Sequence, residues 1–441
     1  MSAFPNEKSS GDVQSEEAAG ATVAAPVAEV QCPPHTTERR LMAKIDLHVV
    51  PFLCIMYLLA FLDRVNISNA NVFGLSKELG LEKTEFNTAL VIFFVPYVLF
   101  EIPSNLLLKK LRPNVWLSLN MFGFGLVTLL QGLVKNYSGL LATRFFLGVF
   151  ETGMFPGAFY LIGMWYKRSE AQRRYSFFFN STTLAGAFGG LLAAAIGKMD
   201  GLRGYKGWRW IFIIEGGLTV VVAVALYFLL PCFPEETKWL NPEEKEFVTT
   251  RLRIDQGQSS SGRDRSVGWK DVGNVFKDYK IILGGFMYFG LIVPAYSYAY
   301  FAPGIIQGYG YDSIQTQLHS YAALFLVAMG AYTAMPIIVC WFNMNLGGHH
   351  RRSIGSAWQV GFGNIGGIIA SFSFTDAAKP KYIPGYSICI SFTVLSMIAV
   401  VAYAAACMLQ NRQKSRSGDD GLTEEEKEDL GDLAPGYRYL L

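Results

Sequence analysis

Residues 113–134 read PNVWLSLNMFGFGLVTLLQGLV, 22 residues without a charge between Arg112 and Lys135. A helix rises about 1.5 Å per residue and the hydrocarbon core of a bilayer is about 30 Å thick, so a stretch of this length crosses it. The apolar residues do not alternate with period 2, which argues against a barrel strand. The same ruler, the interval between successive charges, finds nine more stretches near residues 46–70, 86–108, 139–165, 175–197, 210–230, 281–307, 320–343, 353–375 and 382–410. The ten together predict an all-α integral membrane protein.

Composition agrees. Of the 441 residues 51% are hydrophobic and 17% charged, where a soluble domain carries about 25% charged residues. A net charge of +3 gives no reason to expect a nucleic-acid partner. The six cysteines (Cys32, Cys54, Cys232, Cys340, Cys389, Cys407) have neither metal-ligand spacing nor a disulfide framework and read as packing thiols. No metal and no cofactor is expected. With no His/Asp/Glu cluster and no nucleophile–base motif, neither is an enzyme.

The Lys and Arg of short loops set orientation. With the N-terminus inside, Arg39, Arg40, Lys44, Lys109, Lys110, Arg112, Lys167, Arg168, Arg173, Arg174, Arg351, Arg352, Arg412, Lys414 and Arg416 are cytosolic, and Lys198, Arg203, Lys206 and Arg209 dissent. Both termini are expected in the cytosol. The organisation read from the chain is a disordered tail (1–40), an N-terminal bundle of six helices (41–230), a cytosolic linker (231–280), a C-terminal bundle (281–411) and a cytosolic tail (412–441). Within the linker, Pro242–Arg253 reads as an amphipathic helix and Gln256–Arg265 as a flexible connection.

The two bundles repeat one another. Arg173-Arg174 followed by Gly189-Gly190 in span five matches Arg351-Arg352 followed by Gly366-Gly367 in span nine, at an offset of 177. Phe155-Pro156 in span four matches Met335-Pro336 in span eight, at an offset of 180. Spans one and seven, starting near 46 and 279, are offset by 233. The excess of about 56 residues equals two helices with their loops. The C-terminal bundle therefore reads as incomplete, with about four helices and a junction near Ser320-Tyr321. Chance matching of glycine-rich helices is the alternative.

Charges inside a bilayer are functional hypotheses by default. Sixteen residues separate Asp46 from Asp63, so span one continues through Asp63-Arg64. Fifteen separate Glu151 from Lys167, which puts Glu151 inside span four, with Arg144 on the same face two turns earlier. Guanidinium groups grip a carboxylate bidentately and keep their charge, while a desolvated carboxylate takes up a proton more readily than a solvated one. This set suits anion–proton symport; the alternative is that the charges pair with one another to fix helix packing. Glu101 near a cytosolic loop and Glu215 beside Trp208-Arg209-Trp210 read more as interfacial groups. Gly361 to Gly366 fits G-x-G-x-x-G but lies in an apolar span with no strand before it, so close helix packing is the better reading. Asn364 is a candidate orienting ligand, and Tyr97, Tyr296, Tyr300 and Tyr332 are candidate cavity residues.

FLDRVNISNA (61–70), PYVLFEIPSNLLLKK (96–110), RFFLGVFETGMFPG (144–157), GWRWIFIIEG (207–216) and FPEETKWLNPEE (233–244) together resemble the anion:cation symporter branch of the major facilitator superfamily, above all fungal permeases of the allantoate and nicotinate type. The likeness covers about residues 40–411 and extends to the ending Tyr437-Arg438-Tyr439-Leu440-Leu441. It implies proton-coupled symport of a small organic anion by a monomer, in a membrane expected to be the plasma membrane. Asp63 and Glu151 would carry protons, and Arg64 and Arg144 would hold the anion. Tyr97 and Asn364 would join the substrate site as weaker correspondences. The chain departs from the family in having Lys109-Lys110 where an Asp is usual, and in passing from Ser320 to Tyr321 where two more helices are the pattern. Rocking two bundles around a central site requires both, so a truncated or regulatory membrane protein that does not transport is the rival reading.

Overall fold

The computed structural model describes residues 32–256, 269–307, 333–416 and 430–441 together with Gly330, apart from residues 83, 348, 376, 377, 379 and 380. The regular elements among them are helices: α1 (Glu38–Val72), α2 (Leu75–Glu78), α3 (Glu85–Lys110), α4 (Pro113–Gln131), α5 (Tyr137–Glu151), α6 (Met154–Trp165), α7 (Arg168–Gly197), α8 (Gly207–Leu229), α9 (Pro242–Gln256), α10 (Trp269–Phe276), α11 (Tyr279–Gln307), α12 (Thr333–Met344), α13 (His349–Ser373) and α14 (Ile383–Arg416). Counting α5 and α6 as one, seven spans among the described residues are long and apolar enough to cross a membrane. Helices α3 and α13, of 26 and 25 residues, and the 12-residue α12 account for the other three expected stretches. Residues 1–31 of the expected tail, the 257–265 part of the expected linker connection, Tyr332 and the junction Ser320-Tyr321 lie outside the described residues.

Several boundaries differ from the sequence reading, each for a local reason. Helix α1 starts at Glu38, inside the expected tail, because extended Thr37 accepts a hydrogen bond from the Arg40 amide at 3.4 Å. It stops before Gly74, whose φ of +94° suits glycine alone. The expected continuous span 139–165 is broken at Thr152-Gly153. Pro156 has no amide to bond the carbonyl four residues back. The Thr152 hydroxyl turns inward to donate to Gly148 O at 2.7 Å.

Glycines set the closest helix contacts. A Cβ on Gly216 of α8 would lie 2.4 Å from Leu129 N of α4, and one on Gly148 of α5 would lie 2.2 Å from Phe93 O of α3. The stretch 361–366 is helix interior in α13. A Cβ at Gly363 would strike Tyr288 of α11, and one at Gly367 would strike Phe94 of α3, each at 2.2 Å. Helix α1 packs on α7, α8 and α11, while α3 meets α13 and α7 meets α12, so these contacts join the early helices to the late ones.

One end of the molecule is strapped twice. Helix α9 lies across α1, α6 and α7. Lys44 Nζ donates to Glu244 at 2.8 Å, Arg251 reaches Glu38 at 2.8 Å and also Glu170, and His48 stacks on Trp239. Residues 430–441 do the same across α11 to α14. Arg351 donates to Asp432 at 2.5 Å and to Asp278 at 2.7 Å. Asn345 exchanges hydrogen bonds with Leu440, and Asn411 with Tyr439. Arg174 grips Asp46 bidentately at 3.0 and 2.8 Å. The repeated Arg pairs thus both tie to a carboxylate at the start of the first helix of their repeat. The dissenting Arg209 pairs with Glu78 at 2.9 Å.

Helix α14 is the least covered of the seven spans. Only 17% of its most apolar stretch is buried, against 39% for α8, its counterpart in the repeat. In the first repeat α8 packs along α4; a helix equivalent to α4 is one of the two that the offsets leave without a counterpart.

Candidate functional site

Arg64 sits near the far end of α1, where the helix is buried on all sides. Its Nε donates to Glu151 Oε1 at 2.8 Å, Nη2 donates to the same oxygen, and Nη1 donates to the Tyr296 hydroxyl of α11. The guanidinium carbon stands 5.1 Å from the ring centre of Phe93, 5.3 Å from that of Tyr97 and 5.7 Å from that of Tyr296. Glu151 ends α5 at the helix break, which frees the chain around it from a regular ladder. Broken spans of this kind line sites in membrane proteins.

Arg144, on α5, also approaches Phe93, with its guanidinium carbon 5.2 Å from the centre of the same ring. It is fully buried, donates to the carbonyls of Ala89 and Arg64 at 3.4 Å each, and leaves Nη1 without a partner among the described residues. Two guanidinium groups therefore lie near one aromatic ring, one tied to a carboxylate and the other, among the described residues, to backbone carbonyls. Tyr300 stacks on Tyr296 at 5.5 Å and 15°, extending the aromatic wall. Between α1, α7 and α11 a cleft of about 20 Å³ remains, bounded by Tyr57, Phe179, Thr182, Tyr288 and Tyr296. That is room for roughly one water, so a solute enters this conformation only if the helices part.

Two sequence pairings change. Glu151 bonds Arg64 rather than Arg144, and Asp63 does not pair with Arg64 although they are neighbours. On a helix adjacent residues point about 100° apart, and Asp63 turns toward Thr128 and Thr219. Glu101 and Glu215 both turn into the protein and are 1% exposed. Glu101 lies against Gly361 of α13, and Glu215 accepts from Asn66 Nδ2. Asn364 is buried, and its amide donates to Val360 O of its own helix at 2.9 Å rather than to the Arg64 group. Phe93 was not singled out by sequence; aromatics are 14% of the chain, and only the fold selects the one that both arginines approach.

The sequence profile described as the Major Facilitator Superfamily matches residues 53–418. The MFS transporter prlL of Fungal sp. (strain NRRL 50135) is 32% identical, over 86% of this chain and 88% of its own length. The high-affinity nicotinic acid transporter of Saccharomyces cerevisiae (strain ATCC 204508 / S288c) is 27% identical, over 93% of this chain and 86% of its own. The latter alignment runs over 466 positions while engaging about 410 of the 441 residues, so about 56 positions face no residue here. Among solved structures, a bacterial homolog of the human lysosomal transporter Spinster superposes with a TM-score of 0.56 at 14% identity, over 84% of this chain and 95% of that one. It shares the fold.

Proposed function

This chain belongs to the major facilitator superfamily, a family of integral membrane transporters, and on that premise we propose that it carries a small organic anion together with protons. The observation that carries the reading is Arg144. A buried guanidinium with no carboxylate hydrogen-bonded to it costs several kcal/mol unless an anion arrives. A planar carboxylate such as nicotinate answers that need: its carboxylate meets Arg144, and its ring lies along Phe93, Tyr97 and Tyr296. The yeast nicotinic acid transporter supports this substrate class; an allantoate-like carboxylate offers the same anionic group.

Proton coupling follows from the Arg64–Glu151 bond. A proton on Glu151 removes the charge that holds Arg64, which turns to the anion beside Arg144. Deprotonation recaptures Arg64 and expels the anion. Tyr97 shapes the pocket wall, Asp63 supplies a second proton-binding carboxylate, and Asn364 is a polar group on the facing helix α13. The protein works as a monomer in the plasma membrane, with the strapped end and both termini cytosolic.

The test is nicotinate-induced thermal stabilisation of the purified chain, followed by uptake into proteoliposomes under an inward proton gradient. Stabilisation that strengthens as pH falls supports the reading; no stabilisation by nicotinate or allantoate at any pH overturns it. The bare face of α14 and the unmatched 56 positions favour a second reading for the whole cycle: a C-terminal bundle of about four helices that binds the anion without completing transport. Binding with no uptake is its signature.

A further inference from the structure

The interior holds a second polar group that the Arg64 site does not use. Asp63 and Asn66 share a face of α1, Thr128 and Gln131 a face of α4, and Glu215 and Thr219 a face of α8, each pair three or four residues apart. All six are at most 1% exposed. Glu215 Oε1 and both polar atoms of Gln131 have no hydrogen-bond partner among the described residues, and the Asp63 carboxylate has only the Thr219 and Thr128 hydroxyls beside it. The Asn66 amide holds only Glu215 Oε2, and Asn69 supports Asn66 at 3.1 Å. Gly125 of α4 lets Thr219 in: a Cβ there would lie 2.8 Å from Thr219 Cγ2.

Among the described residues no cation answers these carboxyls. The charged neighbours of Asp63 are Glu215 and Glu151, both acidic. Arg64 is bonded to Glu151 and Tyr296, Arg144 donates to backbone carbonyls, and Arg209, further back along α8, is paired with Glu78. Two like charges in a dry, enclosed space repel strongly, so such a pair does not ionise twice without a cation between them. The threonines are placed to help. Thr219 stands one turn from Glu215 and beside Asp63, and a hydroxyl both donates and accepts.

We propose that Asp63 and Glu215 form a proton-loading dyad between α1, α4 and α8, separate from the anion site, in which Glu215 joins Glu151 and Asp63 as a third proton-carrying group of the coupling mechanism. This deepens the proton-coupled reading and rests on it. The dyad holds one proton, as one carboxylic acid and one carboxylate. Transfer between them runs through Thr219, whose hydroxyl accepts the proton of the acid as it gives its own to the carboxylate, and no other bond changes. Because Asn66 occupies Oε2, the proton on Glu215 sits at Oε1.

Infrared difference titration of the purified full chain tests this through the carbonyl stretch that only a protonated carboxyl shows. At neutral pH a band is expected that E215Q and D63N each remove or shift, that T219V shifts while keeping, and that E151Q leaves in place. Elution of each variant as a monodisperse peak establishes that it is folded, and T219V retains both carboxyls should a charge variant fail that check. No protonated band sensitive to E215Q at neutral pH overturns the dyad. So does loss of the band on adding sodium chloride at fixed pH, which would make the group a sodium site. Nicotinate stabilisation of the unmodified chain, measured alongside, reports on the Arg64–Arg144 reading alone. If it is absent while the band behaves as expected, the anion site fails and the dyad stands.

Discussion

Arg64 and Glu151 are hydrogen-bonded across 87 positions of sequence, and the bond joins the first span to the break in the fourth. Glu151 thereby holds one guanidinium of the site while leaving Arg144 without a carboxylate. A charge-assisted bond of this kind contributes about 1.5–3 kcal/mol, which is enough to decide whether Arg64 faces an anion or stays with its partner.

Glu151→Gln mimics the protonated acid permanently. Nicotinate should then bind with an affinity that no longer rises on acidification. In any transport-competent form, counterflow exchange should persist while accumulation against a gradient is lost. Thermal-shift titration across pH and paired exchange and uptake assays check this; retained uphill accumulation by the variant moves the coupling role elsewhere.

Arg144→Lys replaces a planar fork with a point charge in a site shaped for the fork. Membrane insertion should be normal, and nicotinate-induced stabilisation should fall by an amount equal to about 10–100-fold in affinity, the equivalent of one lost charge-assisted hydrogen bond. Stabilisation equal to that of the unmodified chain removes Arg144 from the anion site.

The α9 strap should release in acid. Burial by itself would raise the Glu244 carboxyl, but the bonds from Lys44 and the Asn241 amide outweigh it and hold the group below the ordinary carboxylate value. A depressed carboxyl stabilises above its unfolded value, about 4.3, and that contribution is lost as pH falls through the lower folded value. Limited proteolysis near α9 should therefore accelerate below about pH 4, and E244Q should show the acid rate already at neutral pH. A cleavage rate in E244Q equal to that of the unmodified chain would show that the ion pair does not hold the strap.

Much of the helical order was legible because charge is so costly in a bilayer that its spacing marks the spans; the ten expected stretches have helical counterparts wherever they are described. Pairings were not. Register alone put Arg144 with Glu151, and nothing local announces that α1 delivers Arg64 there instead. The burial of Glu215 inside the protein was not drawn from its sequence neighbours Trp208 and Trp210. The buried positions 208, 211, 212, 215, 219, 223 and 226 of α8 form a stripe at helical spacing, and that periodicity contained the signal.

The seam offers a constructive test. If the offsets count a missing helix pair, inserting a family-derived pair after Ser320 should cover the α14 face, whose Ile390, Met397 and Val401 are each more than 60% exposed, and uptake should appear in proteoliposomes. The unmodified chain should insert almost normally, because lipid tolerates apolar faces, yet show little or no uptake. Robust proton-driven uptake by the 441-residue chain would mean that four helices suffice as a second bundle.

Among the described residues no ion pair crosses from 32–256 to 269–441. The straps close within each part. Side-chain hydrogen bonds that do cross include Arg64 to Tyr296, Ser68 to the Tyr300 carbonyl and Asn87 to the Ser371 carbonyl, and these three involve the helix ends remote from the straps. These three bonds latch the side opposite the straps. Parting the strapped end breaks none of these bonds, whereas parting the other breaks all three, at roughly 0.5–3 kcal/mol each. That asymmetry biases the resting population toward access from the strapped side by an amount within reach of a ligand's differential affinity, and because Arg64 belongs to both latch and site, whatever recruits Arg64 to an anion also loosens the latch.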